Sequence, residues 1–347
     1  MAVQGTHGPH GPHGPHGPHG PHSPIVEGGA VTIYSLEPAR KAHRDGWVID
    51  EDPAQPNVAS AVLDRFDTLS GRSKSQLFYS EVSDLLSATP SQGETPATVA
   101  VSGGDIVSIA KPGSITAAHL ENLRNLSRDS EDRLPEISDQ IGSILPYFGQ
   151  IQRMGGGTAR YLALLLEATQ SAAARVSYQI KFGFSAPRPM QYAEYLSPAI
   201  QTPSHSSYPS GHATEAFAIA TMIMALRTGA PFDVTQLEYE ALPFHVAGRI
   251  AQNREIAGVH FAHDTHAGAV FGIAVGNAIA ASALGVDAPS YAFEFNGFTV
   301  DGAKTPLPKT ANLFKSGGGG TVLASQVKTT QSELLSAIFA KAQADIG

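Results

Sequence analysis

Residues 253–264 read NREIAGVHFAHD. Arg254, His260 and Asp264 stand six and then four positions apart, so His260 and Asp264 share one face if the segment is helical. A carboxylate on the far nitrogen of an imidazole fixes its tautomer and makes the near nitrogen more basic, which prepares His260 as a nucleophile or a metal ligand. Arg254 reaches the same place from the preceding turn. A lone His–Asp pair is most often a structural hydrogen bond, so the weight of this one rests on its surroundings.

The segment joins two helical patterns, residues 237–256 and 264–283. Further helices are expected at 74–86, from a cap at Ser114 or Thr116 through Asn125, at 136–148, and at 158–182, the last ended by Pro187 and Pro189. A Pro- and Ser-rich loop, 186–210, leads to an apolar helix at 211–227, stopped by Gly229 and Pro231. Thr330 and Glu333 form a capping-box pattern for a last helix to Ile346, and residues 317–320 read as a flexible glycine break. Residues 93–113 read as loop with extended pieces at 98–101 and 106–109. The fold expected is mainly α, a helical bundle with long loops. The most apolar stretch, 267–285, is rich in Ala and Gly and carries Asn277, so a buried helix is expected there and no membrane span.

Three regions follow along the 347 residues: an arm at 1–24, a mixed segment at 25–115 packing on the core, and a helical catalytic core at 116–347 with its motifs in 181–264. In the arm, Gly-x-His recurs through residues 5–22, with Pro between from Pro9 to Pro21, and favours polyproline II, either as a disordered tag-like arm or as a metal-binding or assembly segment. A net charge of −8 argues against a nucleic-acid partner. The absence of cysteine excludes a disulfide scaffold, a thiol nucleophile and a thiolate metal site, and suits a protein that generates an oxidant. The N-terminus lacks a basic and then apolar leader, which makes a soluble, cytoplasmic protein the default expectation.

Two upstream clusters complete the set. Tyr208-Pro209-Ser210-Gly211-His212 lies between loop and helix, where free backbone N–H groups and the helix dipole favour an anion. Gly211 lets the backbone approach a ligand, Ser210 adds a hydroxyl, and His212 is placed to move a proton. Lys181 and Arg188 flank a proline-stiffened turn and supply an ammonium and a guanidinium fork suited to a tetrahedral oxyanion. His263 and His266 read as supporting or surface positions; His43, His119 and His245 carry no pattern.

The segments KFGFSAPRP (181–189), YPSGHA (208–213) and NREIAGVHFAHD together resemble the signature of the type-2 phosphatidic-acid phosphatase and vanadium haloperoxidase superfamily, over about residues 156–284. That signature is Lys-x6-Arg-Pro, Pro-Ser-Gly-His and Ser-Arg-x5-His-x3-Asp; the one departure is Asn253 in place of Ser. The resemblance implies a helical bundle in which Lys181, Arg188, Ser210, Gly211 and Arg254 hold the oxygens of vanadate or phosphate. His260 would be the axial partner, as vanadium ligand or phosphorylated nucleophile, with His212 the general acid–base and Asp264 the group that orients His260. His205, seven residues before His212, occupies the place of a histidine in bromo- and iodoperoxidases, where it would tune the oxidant or halide site. The implied function is a vanadate-dependent haloperoxidase that oxidises bromide or iodide with hydrogen peroxide and halogenates a small organic acceptor, in a homo-oligomer. The alternative is a soluble acid phosphatase acting through phospho-His260. An assembly protein with a vestigial site is the third reading, against which the intact set of residues argues.

Overall fold

Two helices that touch through backbone organise the core. Residues 211–228 and 262–284 are so rich in Ala, Gly and Ile that neither has a polar face, and both are buried along almost their whole length. In the computed structural model, which describes residues 60–154, 159–236, 241–298 and 310–346, the remaining elements wrap this pair. In chain order the helices are α1 (Val62–Asp67), α2 (Gly71–Asp84), α3 (Ala117–Leu126), α4 (Ser130–Gly142), α5 (Leu145–Gly149), α6 (Arg160–Phe184), α7 (Gly211–Thr228), α8 (Leu242–Ile256), α9 (Ala262–Leu284), α10 (Thr310–Leu313) and α11 (Glu333–Ile346). The strands are β1 (Leu86–Thr89), β2 (Ala97–Val101), β3 (Gly104–Ile109), β4 (Ala288–Phe298) and β5 (Gly318–Val327). The chain is thus mainly helical with a small mixed sheet. The Gly-Pro-His arm, and both readings of it, lie outside the described residues.

The row Gly268, Gly272 and Gly276 on α9 faces the α7 backbone. A Cβ on Gly272 would lie 2.3 Å from the Thr214 carbonyl oxygen, and one on Gly268 2.5 Å from that of Ser210. Helices this close gain dispersion contacts along the whole seam. The seam also sets Ser210, at the start of α7, against the first turn of α9, where Ser210 N–H donates to the Asp264 carbonyl at 2.8 Å. Among the described residues α9 is the one helix long and apolar enough to cross a membrane, and its side chains pack inside the protein.

Most of the expected helices are present; their edges and the sheet differ. The run expected at 136–148 is two helices, because Ser143 turns extended (φ −161°, ψ 141°) after Gly142 and Pro146 starts α5. Thr116 is the cap of α3, its N–H and Oγ both meeting His119 Nδ1, at 3.2 and 2.8 Å. Ser332, not Thr330, caps α11 by accepting Leu335 N–H at 3.0 Å, while Thr330 N–H donates to Ser102 Oγ. The extended pieces near 98–101 and 106–109 are the hairpin β2–β3 of a five-stranded sheet ordered β1-β2-β3-β4-β5. Only β3 and β4 run parallel, pairing Val107 with Tyr291 and Ile109 with Phe293. Residues 317–320 are not a flexible break. They open β5, and a Cβ on Gly318 would lie 2.0 Å from the Asn312 carbonyl oxygen, so glycine serves close approach there.

Candidate active site

Six segments deliver one cavity. The last turn of α6 brings Lys181, the loop after it Arg188, and the serine-rich loop His205. The first turn of α7 adds Gly211 and His212, the last turn of α8 Arg254, and the α8–α9 joint His260. All seven line a cavity of about 130 Å³. Ser210 and Asp264 are buried behind this wall. Six of these nine, Lys181, Arg188, Ser210, Arg254, His260 and Asp264, are almost fully buried.

The tautomer of His260 follows from its neighbours. Arg188 Nη1, which can only donate, lies 3.1 Å from His260 Nε2, so Nε2 accepts and carries no proton. The proton sits on Nδ1, 3.2 Å from Asp264 Oδ2. That oxygen also accepts the Ser207 hydroxyl at 2.5 Å and the Phe261 N–H at 3.0 Å. His263 Nε2 stands 3.1 Å from the other carboxylate oxygen. Burial alone would raise the Asp264 pKa, but His263 and His260 hold it well below the usual carboxylate range. His260 itself is kept neutral, first by burial and then by the Arg188 charge.

The cations are pinned to the loop around them. Lys181 Nζ donates to the carbonyls of Ser206 and Ser207 at 2.9 and 3.0 Å. Arg188 donates to the carbonyls of His205 at 3.1 Å and Val259 at 2.7 Å. Arg254 Nη2 reaches the Ile137 carbonyl and Gln140 Oε1, at 2.9 and 3.0 Å. Burial lowers all three pKa values, those of Arg188 and Arg254 to about 10, which leaves both guanidiniums charged at neutral pH. His212 donates from Nε2 to the Gln140 carbonyl at 3.0 Å, leaving Nδ1 as its basic nitrogen. Burial and the Arg254 charge push its pKa down to about 3. A bound anion would oppose that shift. His205 is half-buried, within 3.2 Å of Arg188 Nη2, with Tyr178 edge-on at 5.1 Å; burial and Lys181 lower its pKa to about 4.

The donor set fits a tetrahedral oxyanion. Among the described residues, Ser177 Oγ, Ser210 Oγ and Arg254 Nε are buried with no hydrogen-bond partner. The space a Cβ would fill at Gly211 lies beside Lys181 Cε at 3.6 Å and Ser177 Oγ at 3.9 Å, so a side chain there would occupy the cage. Among the described residues no three His, Asp or Glu side chains are grouped to hold a metal ion. An anion held by hydrogen bonds and one imidazole is therefore what these residues suit. A larger cavity of about 830 Å³ shares Lys181, Arg188 and His205 and is walled by Tyr178, Phe182, Pro187, Met190 and Pro203.

Residues 161–284 match the PAP2 superfamily. The PAP2 segment runs from the start of α6 to the end of α9 and contains every site residue expected from the sequence. The PAP2 superfamily includes phosphatases and haloperoxidases, and its members are generally enzymes. No curated protein matches the chain.

Four neighbours of the site carry no motif. Ser207 bonds Asp264, and Gln140 ties His212 and Arg254 to α4. Ser177 and Glu215 stand four residues from Lys181 and Gly211, a helical spacing that could have revealed them. His263 and His266 are not surface residues: both are buried, His263 against Asp264 and His266 Nδ1 at 3.2 Å from the Gly318 carbonyl. Asn253, the departure from the motif, donates to Gln140 Oε1 at 3.1 Å and accepts from Arg133 at 3.0 Å.

Proposed function

We propose that the chain is a vanadate-dependent haloperoxidase with the helical-bundle core of that family. The reaction is X⁻ + H₂O₂ + H⁺ → HOX + H₂O, in which the halide loses two electrons, the peroxide O–O bond gains them, and the hypohalous species halogenates an organic acceptor. Bound vanadate would supply a Lewis-acidic centre that activates the peroxide. Lys181, Arg188 and Arg254, with Ser210 and the Gly211 backbone, would hold its oxygens, and His260 Nε2 would be its single protein ligand. His212, neutral in its resting form, takes up a proton at Nδ1 and returns it to the leaving oxygen. Asp264 keeps the His260 proton on Nδ1. The apolar wall of Tyr178, Phe182 and Met190 offers the acceptor a surface next to the cage.

The observation that favours a haloperoxidase is the position of His205, on the cavity wall and within hydrogen-bond distance of Arg188. A neutral imidazole there supports a role in meeting halide or peroxide beside a bound oxyanion. The phosphatase reading rests on the unprotonated Nε2 of His260, which equally suits attack on phosphorus.

Protein loaded with orthovanadate and given peroxide is expected to halogenate a β-diketone with bromide or iodide, and phosphate is expected to compete. Hydrolysis of p-nitrophenyl phosphate, measured without vanadate, is expected to be slow. No halogenation with iodide, bromide or chloride, together with fast phosphate release, would replace the proposal with the phosphatase reading.

A further inference from the structure

Glu215 is an acid in a cage of cations. It lies one turn beyond Gly211 on α7 and lines the same cavity as Lys181, Arg188, His212 and Arg254. Its Oε2 accepts Gln170 Nε2 at 2.8 Å. Its Oε1 faces the turn, 3.9 Å from the position a Cβ would take on Gly211, where Lys181 and Ser177 also converge. As a carboxylate it would repel the anion that the remaining donors attract; as a carboxylic acid it becomes one more donor.

We infer that Glu215 binds the oxyanion in its protonated form, giving an O–H hydrogen bond to one anion oxygen, so that each anion bound brings one proton with it. Glu215 is then a positioning residue that selects the charge state of the occupied cage. The inference rests on the oxyanion reading of the site.

The surroundings support it. Burial is the main influence on Glu215 and, against the pull of Gln170 and Lys181, raises its pKa to about 7. The charged or titratable groups around the cavity are Lys181 and Tyr178 from α6, Arg188 and His205 from the loop, Arg254 from α8, His260 from the α8–α9 joint and His212 from α7 itself. The histidines are neutral near pH 7, and the arginines keep their charge. α9 packs its glycine row on a different face of α7, the one carrying Thr214 and Ala218, and α11 meets α7 at its far end through Gln343 and Leu226. Lys181, with a pKa lowered by burial, and His212, whose lowered pKa a bound anion would raise, are the competing sources of a proton effect.

Sulfate is the probe, because it stays a dianion between about pH 5 and pH 9. Calorimetry in buffers of different ionisation enthalpy measures both affinity and protons taken up. Wild-type affinity is expected to fall, approaching ~10-fold per pH unit above about pH 7, with uptake of about one proton per sulfate near pH 8. In Glu215→Gln both the fall and the uptake are expected to vanish. If Glu215→Gln keeps the wild-type pH profile and proton uptake, the proton goes to Lys181 or His212 and the inference is wrong. Should that variant not fold, the infrared difference spectrum of wild-type protein near pH 8 decides. A protonated-carboxyl C=O band appearing with sulfate is expected, and its absence overturns the inference. Failure of wild type to bind sulfate at any pH would instead overturn the oxyanion reading.

Discussion

His260 keeps its proton on the side away from the cavity, and one oxygen of Asp264 is responsible. Oδ2 collects three donors, from His260, Ser207 and Phe261, of which the last closes the first turn of α9. In Asp264→Asn an amide can present N–H to Nδ1 and push the proton to Nε2, against Arg188. Vanadate affinity and turnover are expected to fall 10–100-fold, with about 1 kcal/mol lost from the helix cap; titration calorimetry and urea melts check both. Turnover within a factor of about two of wild type would show that Asp264 does not set the tautomer. At this scale much of the site was legible in the sequence, since Lys181, Arg188, His212, Arg254, His260 and Asp264 sit at fixed spacings of chemically distinctive types. Ser207 was not, because it stands in the run SHSS, where nothing local separates one serine from another. Gln140 was not, because what it gives His212 is a backbone carbonyl, which every residue has.

Among the elements, the α7–α9 seam carries most of the geometry. A methyl added at Gly272 meets the Thr214 carbonyl oxygen and the Ala218 nitrogen, both backbone, so no side chain can swing away. Gly272→Ala is expected to lose about 1–3 kcal/mol or more and to impair anion binding, because Ser210 and Asp264 lie at the end of the same seam; chemical denaturation with a parallel sulfate titration tests this. Unchanged stability would mean that the helices separate without cost. Helices were readable from long apolar or amphipathic runs. The sheet was not: β3 pairs with β4 across most of the chain, as Val107 with Tyr291, and no local pattern encodes a partner so distant. The glycines of β5 look like a linker until the Asn312 and Leu313 carbonyls are placed against them.

The whole molecule carries a pH dependence that the site alone does not explain. Glu255, buried on α8, has its pKa raised to about 8, chiefly by burial, with the charge of Asp264 adding and Thr265 opposing. The folded protein therefore holds a proton that the unfolded chain releases above its ordinary value near 4.5. The contribution of Glu255 is full below that value and declines as pH rises towards about 8, by up to ~5 kcal/mol. Thermal melts are expected to shift down between about pH 7 and pH 8, above the range in which the buried neutral histidines act in the opposite sense, and Glu255→Gln is expected to remove much of the slope, Glu215 contributing the rest. Equal slopes in variant and wild type would exclude Glu255 as the source.

The glycine seam has one more consequence, for the order in which the protein comes apart. Because α7 and α9 meet backbone to backbone at the centre of the core, their amides are expected to open only with the core and to be the last to exchange with deuterium. His260, on the α8–α9 joint, is tied to that unit through Asp264 in the first turn of α9. Heat is then expected to release the Asp264–His260 pair together with the cooperative unfolding signal and not before it.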